Sequence, residues 1–174
     1  MSVFDSLSKE HALLLRLVER LERAAAERED RRAAHELRTI LLVLFKALEA
    51  HQTLEHLVYD ESPDLPTPAA YRELAEVERQ HKAVADMREE VASLLNTITP
   101  EGGAAVRELS LRLGALLRRL IDEEERKLWP RFNAYACRST LNRLARQARE
   151  QFRAMETEVN RYWAEVEAYD SGGR

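Results

Sequence analysis

A chain of 174 residues is long enough to bury one complete hydrophobic core, and its single cysteine, Cys137, excludes both a disulfide framework and a thiolate zinc site. A composition dominated by Ala, Leu, Glu and Arg, with only 5 Gly and 5 Pro, excludes a β-rich architecture and predicts an all-α protein. A net charge of -4 lacks the electrostatic footprint of a nucleic-acid binder, and the longest apolar run, TILLVLF (39–45), is far short of the roughly 20 residues that span a bilayer.

The first predicted helix carries Phe4, Leu7, His11, Leu14, Val18 and Leu21 at alternating three- and four-residue steps, with Ser2 or Asp5 as its cap. Its N-terminal segment, MSVFDSLSKEH, lacks the basic-then-apolar pattern of a secretory signal, so a soluble cytoplasmic protein is expected. The helix fades into the charged turn ERAAAEREDRR (22–32). A second stripe runs Leu37, Leu41, Leu44, Leu48, His51, Glu55 and Val58 and stops before DESPDLPTP (60–68), whose three prolines predict a loop.

The third stripe is Tyr71, Leu74, Val77, His81, Val84, Met87, Val91 and Leu95, ending at the breaker NTITPEGG (96–103). The fourth is Val106, Leu109, Leu113, Leu116, Leu120, Glu124 and Leu128, closing at WPRF (129–132). Short connections between long helices favour antiparallel neighbours, so residues 1–133 are predicted to form an up-down-up-down four-helix bundle.

A fifth segment follows CRST (137–140), where Ser139 or Thr140 is the expected cap. It carries Leu141, Leu144, Ala148, Phe152, Met155, Val159, Tyr162, Val166 and Tyr169. Residues 134–174 therefore read as a C-terminal helical extension, packed across the bundle or against a second copy in a homodimer, with the tail SGGR (171–174) disordered.

His11, His51 and His81 occupy seam positions on three different helices, and Glu55 and Glu124 occupy the seam on the second and fourth. A rise of about 1.5 Å per residue puts His11 at ~10 Å, His51 at ~13 Å, Glu55 at ~8 Å, Glu124 at ~12 Å and His81 at ~20 Å from one end of an antiparallel bundle. All five depths are compatible with a meeting point. Polar side chains converging in an apolar interior demand partners, and a metal ion meets that demand. Imidazole with carboxylate suits iron, manganese or zinc, and carboxylates shared between two ions are how helical bundles hold di-iron centres.

The order of a seam histidine on helix one, His-x-x-x-Glu on helix two (His51 and Glu55), a histidine on helix three and EEERKLWPRF (123–132) ending helix four is similar to the hemerythrin-like (HHE) cation-binding domains. The resemblance covers about residues 4–133. It implies a four-helix bundle around a non-haem di-iron site, with His11 and His51 on one iron, His81 on the other, and Glu55 and Glu124 bridging. It further implies a protein that binds dioxygen or a related small oxidant, or handles iron, for storage, sensing or stress defence. One position departs from the family pattern: LIDEE (120–124) has Leu120 where a histidine is usual. The second iron then lacks an imidazole. Glu78 or Glu123 is the candidate auxiliary ligand, and the alternatives are a single ion at His11, His51, Glu55 and Glu124, or a decayed site.

His35 and His56 are read as surface residues, the run DEEE (122–125) as a solvated face with only Glu124 aimed inward, and Tyr59 as a seam-edge tyrosine. No nucleophile, phosphate loop or acid/base dyad separate from these ligands is visible, so no catalytic residue and no defined enzymatic reaction is assigned. Two other classes compete. A ferritin-like oxidase wants Glu-x-x-His on two helices and finds only Glu78 to His81. A metal-free or degenerate interaction module would act through its C-terminal helix.

Overall fold

The computed structural model describes residues 2–26, 31–61, 67–96 and 100–172. Among these residues six α-helices follow one another: α1 (Val3–Ala26), α2 (Arg31–Asp60), α3 (Pro68–Asn96), α4 (Pro100–Glu123), α5 (Trp129–Tyr135) and α6 (Arg138–Gly172). A π-helical turn, Glu124–Leu128, joins α4 to α5, and no strand occurs among the described residues. The chain is thus an all-α helical bundle.

α1 lies against α2 and α4, α3 closes the bundle against α4 and more loosely against α2, and α6 lies along α1 and α2. The predicted seams of α1 and α2 are buried in full, from Phe4 to Leu21 and from Leu37 to Val58. On α3 the seam begins later than its periodicity suggests, because Tyr71 is exposed and Leu74 only half-buried, whereas Val77, His81, Val84 and Val91 are buried. On α4 the fully buried leucine is Leu117 rather than the predicted Leu116, which is half-buried. α6 does not stand outside the core: Leu144, Ala148, Met155, Val159 and Tyr162 join the same apolar cluster as α1 and α2.

Helix starts follow their local chemistry. Ser2 and Asp5 cap α1 together: Asp5 N–H donates to Ser2 Oγ at 3.1 Å, and Ser2 N–H donates to Asp5 Oδ2 at 2.6 Å. Thr67 Oγ1 accepts from Ala70 N–H at 3.2 Å, with Pro68 at the first helical position of α3, where its missing N–H costs nothing. α6 begins earlier than the predicted cap at Ser139 or Thr140. The Cys137 carbonyl accepts the first helical bond, from Leu141 N–H at 3.0 Å.

The predicted end at WPRF is a continuation instead. Pro130 has no N–H, and in a regular helix its ring would clash with the Arg126 carbonyl. The wider turn relieves this, with Trp129 N–H bonded to Glu124 O, five residues back, and the helix runs on to Tyr135. The helix of α6 also runs to Gly172, into the predicted disordered tail, whose Gly173 and Arg174 lie outside the described residues. The centres of the three predicted loops, and the side chains of Leu95, Val166 and Tyr169, likewise lie outside them. No helix among the described residues is long and apolar enough to cross a membrane.

Gly114 sets the approach of α4 to α1. A Cβ there would stand 2.7 Å from Glu22 Oε1 and 3.2 Å from Val18 Cγ1, and Glu22 is already tied to Arg118 at 2.8 Å. Gly114→Leu is therefore expected to lower stability by about 1–3 kcal/mol in urea denaturation, through overpacking of this contact.

Candidate metal centre

The bundle geometry brings four donors to one point. His11 from α1, His51 and Glu55 from α2, and Glu124 from the π turn each offer a ligand atom, and these atoms lie within 4.8 Å of one another. All four residues are buried. His51 and Glu55 share a face because residues four apart on a helix stack one above the other.

The hydrogen-bond partners of the two imidazoles indicate where their protons belong. Nδ1 of His11 lies 2.9 Å from Glu125 Oε1, and Nδ1 of His51 lies 2.8 Å from Glu10 Oε2. A carboxylate there calls for an N–H on each Nδ1, which in a neutral imidazole leaves the lone pair on Nε2. The two Nε2 atoms face each other at 2.9 Å. Two lone pairs at that distance repel unless a cation stands between them, whether a proton or a metal ion. Glu124 Oε2 is 3.2 Å from His11 Nε2, and Glu55 Oε2 is 3.5 Å from His51 Nε2. Two nitrogen and two oxygen donors of this kind fit a transition-metal ion.

Glu55 is divided between two tasks. Its Oε1 accepts from the Tyr59 hydroxyl at 3.1 Å and from Trp129 Nε1–H at 3.2 Å, whereas its buried Oε2 accepts no well-formed hydrogen bond. Protein donors hold one oxygen still and leave the other free toward the imidazoles, as a ligand carboxylate requires. Trp129 also stacks on the His11 ring, centroids 4.6 Å apart and planes 13° from parallel.

His81 lies at the level of this cluster, although the rise arithmetic places it deepest. Its Nε2 is 2.9 Å from Glu124 Oε1 and 3.4 Å from Glu55 Oε2. Glu124 thus turns one oxygen toward His11 and the other toward His81, and Glu55 Oε2 lies between His51 and His81. Of the two auxiliary candidates, Glu78 is exposed on α3, and Glu123 is half-buried, taking hydrogen bonds from Gln80 at 2.6 Å and Arg119 at 3.3 Å. Neither belongs to the converging group. Leu120, one turn before Glu124, is buried in the apolar core.

Several participants escape a reading by periodicity. Glu10 is wholly buried against His51, and only its adjacency to His11 in the sequence hints at it. Glu125, expected on a solvated face, reaches back to His11 while its side chain stays 38% exposed. Tyr59 is more than a seam-edge residue, since it holds Glu55. His35 and His56 are exposed as expected, with His56 5.8 Å from the His81 ring, centroid to centroid.

The electrostatics match a site crowded with anions. Burial opposes charging of His11, but its bonds to Glu124 and Glu125 outweigh that and raise its pKa to about 9. Burial likewise opposes charging of His81, yet Glu124 and Glu55 raise it to about 10. For Glu55 the burial that would lift its pKa is overcome by His51, His81 and His11, and it falls to about 2. Burial and the neighbouring Glu55 and Glu124 charges push Tyr59 well above the ordinary phenol value, so it stays a donor.

A metal ion on His11 Nε2 must displace a proton held below about pH 9. Metal uptake should therefore tighten as pH rises from 6.5 to 8.0, by up to about tenfold per pH unit for each proton released. Titration with Co(II) at the two values checks this, and a flat profile would contradict it.

Comparison with known proteins agrees with the geometry. Comparison with curated proteins and with solved structures finds no match. The family model described as the hemerythrin HHE cation-binding domain matches residues 2–132, which takes in all five predicted ligands and ends before α6. The chain belongs to the hemerythrin HHE cation-binding domain family.

Proposed function

We propose that this chain is a non-haem iron protein that binds iron through His11, His51, Glu55 and Glu124, and that it serves to bind dioxygen or a related small oxidant, or to sense or handle iron under oxidative stress. The observation that carries the reading is the convergence of two imidazole nitrogens and two carboxylate oxygens, all buried, within 4.8 Å. When bound, iron in a set of histidine and carboxylate ligands supplies a redox-active centre with coordination positions open to a small ligand.

The chain's own residues prepare that position. Glu10 and Glu125 fix the tautomers of His51 and His11 so that both present Nε2. Tyr59 and Trp129 restrain Glu55 to one free oxygen. Leu7, Leu14, Leu54 and Leu128, all buried, surround these ligands in sequence and keep the interior apolar, which strengthens each electrostatic contact and restricts water. None of these groups is poised as a nucleophile or as an acid/base pair on a substrate, so the reading is a binding or sensing protein.

One ion is favoured over two by the number of donors. The four-residue group can ligate a single ion, while a second ion beside His81 would find only that imidazole and shared oxygens of Glu55 and Glu124. Leu120 offers it nothing. Manganese or zinc would satisfy the same donors, and metal analysis after growth with iron, manganese and zinc together distinguishes them. Self-association through α6 would have to use its outer face, because its apolar stripe is buried within the chain.

Protein purified from iron-replete cells should contain about one iron per chain and show an absorption band that changes on exposure to air. Iron-free, colourless protein under these conditions would overturn the reading. The double substitution His51→Leu with Glu55→Leu should abolish metal uptake. A metal-free module predicts instead that wild type and variant respond identically to added iron in thermal melts. Leu120→His should raise iron stoichiometry toward two, and an unchanged content would mean that position 120 does not face the centre.

A further inference from the structure

We propose that Gln151 of α6 is a positioning residue for His51, acting through Glu10, so that seating of the C-terminal helix and occupancy of the metal centre strengthen one another. The inference rests on the metal-binding reading above, and it concerns a helix that begins after the family match ends at residue 132.

Gln151 lies three residues after Ala148 and four before Met155, in the stripe that seats α6 on the bundle, where its neighbours are apolar. Its side-chain amide has two N–H donors. One reaches the backbone carbonyl of Ala50 at 2.9 Å, the residue immediately before His51. The amide also faces Glu10, at 3.3 Å from Oε1 and 3.4 Å from Oε2. Glu10 is entirely buried, and its Oε2 is the acceptor 2.8 Å from His51 Nδ1. A single side chain of α6 is therefore tied both to the backbone next to a predicted ligand and to the carboxylate that orients the ligand's ring.

A polar group inside a packing stripe costs stability unless it is fully used, and here its donors go to the His51 unit. Without the amide, the buried Glu10 carboxylate would lose the donor that faces both its oxygens and would be freer to turn away from His51 Nδ1. The imidazole would then lose the partner that places its proton on Nδ1 and its lone pair on Nε2. The coupling is reciprocal by necessity: if a docked α6 raises metal affinity, bound metal holds α6 more firmly by the same factor.

The test uses the full chain with Gln151→Leu, which keeps the stripe apolar, and Gln151→Met, which keeps the side-chain length. Co(II) is the probe, with affinity read from its visible absorption and the docking of residues 141–162 read from amide hydrogen exchange with and without Co(II). Imidazole nitrogen NMR of the metal-free chain reports on His51 separately from metal. In wild type, Co(II) should slow exchange across residues 141–162. Either variant should weaken Co(II) binding by roughly 3- to 10-fold, less than the ~10–100-fold typical for removing a ligand's direct partner. It should also shift the His51 nitrogen signals and abolish the Co(II)-dependent slowing. Wild-type affinity, slowing and His51 signals in a variant whose α6 stays docked would overturn this inference alone. A wild-type chain that takes up no Co(II) would reject the metal reading and this inference with it. Should leucine release α6 even without metal, the methionine variant and its His51 signals decide.

Discussion

Two imidazole nitrogens 2.9 Å apart, each with its other nitrogen committed to a carboxylate, form the constraint on which the rest of this molecule depends. Such a pair cannot persist in an apolar interior without positive charge between its members. Around it stand the carboxylates of Glu10, Glu55 and Glu124, all buried, and the half-exposed Glu125. Four carboxylates outnumber the three imidazoles around them, so the cluster favours cations, and its facing nitrogen and oxygen donors suit a metal ion. The family match to residues 2–132 and the free Oε2 of Glu55 agree with that account from independent directions.

The scaffold pays attention to this cluster in its least regular element. Pro130 forbids a regular helical turn at Arg126, and the π turn that replaces it carries Glu124 and Glu125 at its start. Consecutive residues of an α-helix diverge by about 100°, yet these two acids contact the two nitrogens of one imidazole. Trp129, the first residue beyond the turn, stacks on the same ring and donates to Glu55. One proline thus links a backbone irregularity to three residues around the centre, Glu124, Glu125 and Trp129.

Asymmetry follows from the same details. The side of the cluster built from α1 and α2 has two imidazoles, each with its own carboxylate partner, and α6 closes over it through Gln151. The side facing α3 has His81, whose Nδ1 is buried without a hydrogen bond. α3 also packs only loosely against α2. The donors that converge most closely come from α1, α2 and the π turn, whereas His81 comes from the helix with the weakest hold on α2.

Much of the architecture was legible in order and period alone. Alternating three- and four-residue steps gave the helices of the bundle, and the seam positions of His11, His51, Glu55, His81 and Glu124 placed the five residues that the fold brings together. Periodicity reports which face of a helix is buried, so it identifies residues that point inward. It carries no information on depth finer than a turn, and His81 accordingly lies closer to Glu124 than rise arithmetic suggests. Glu10, Glu125 and Gln151 were beyond its reach for another reason. Their roles are set by what a neighbouring helix presents across the interface, and a charged residue beside a seam looks the same on paper whether it meets water or an imidazole. The sequence by itself determined the helices, the seam and the inward-facing donors. Only the tertiary structure decided which nitrogen of each histidine is free, which oxygen of Glu55 is left open and that α6 reaches the centre, because those depend on side-chain distances between segments far apart in the chain.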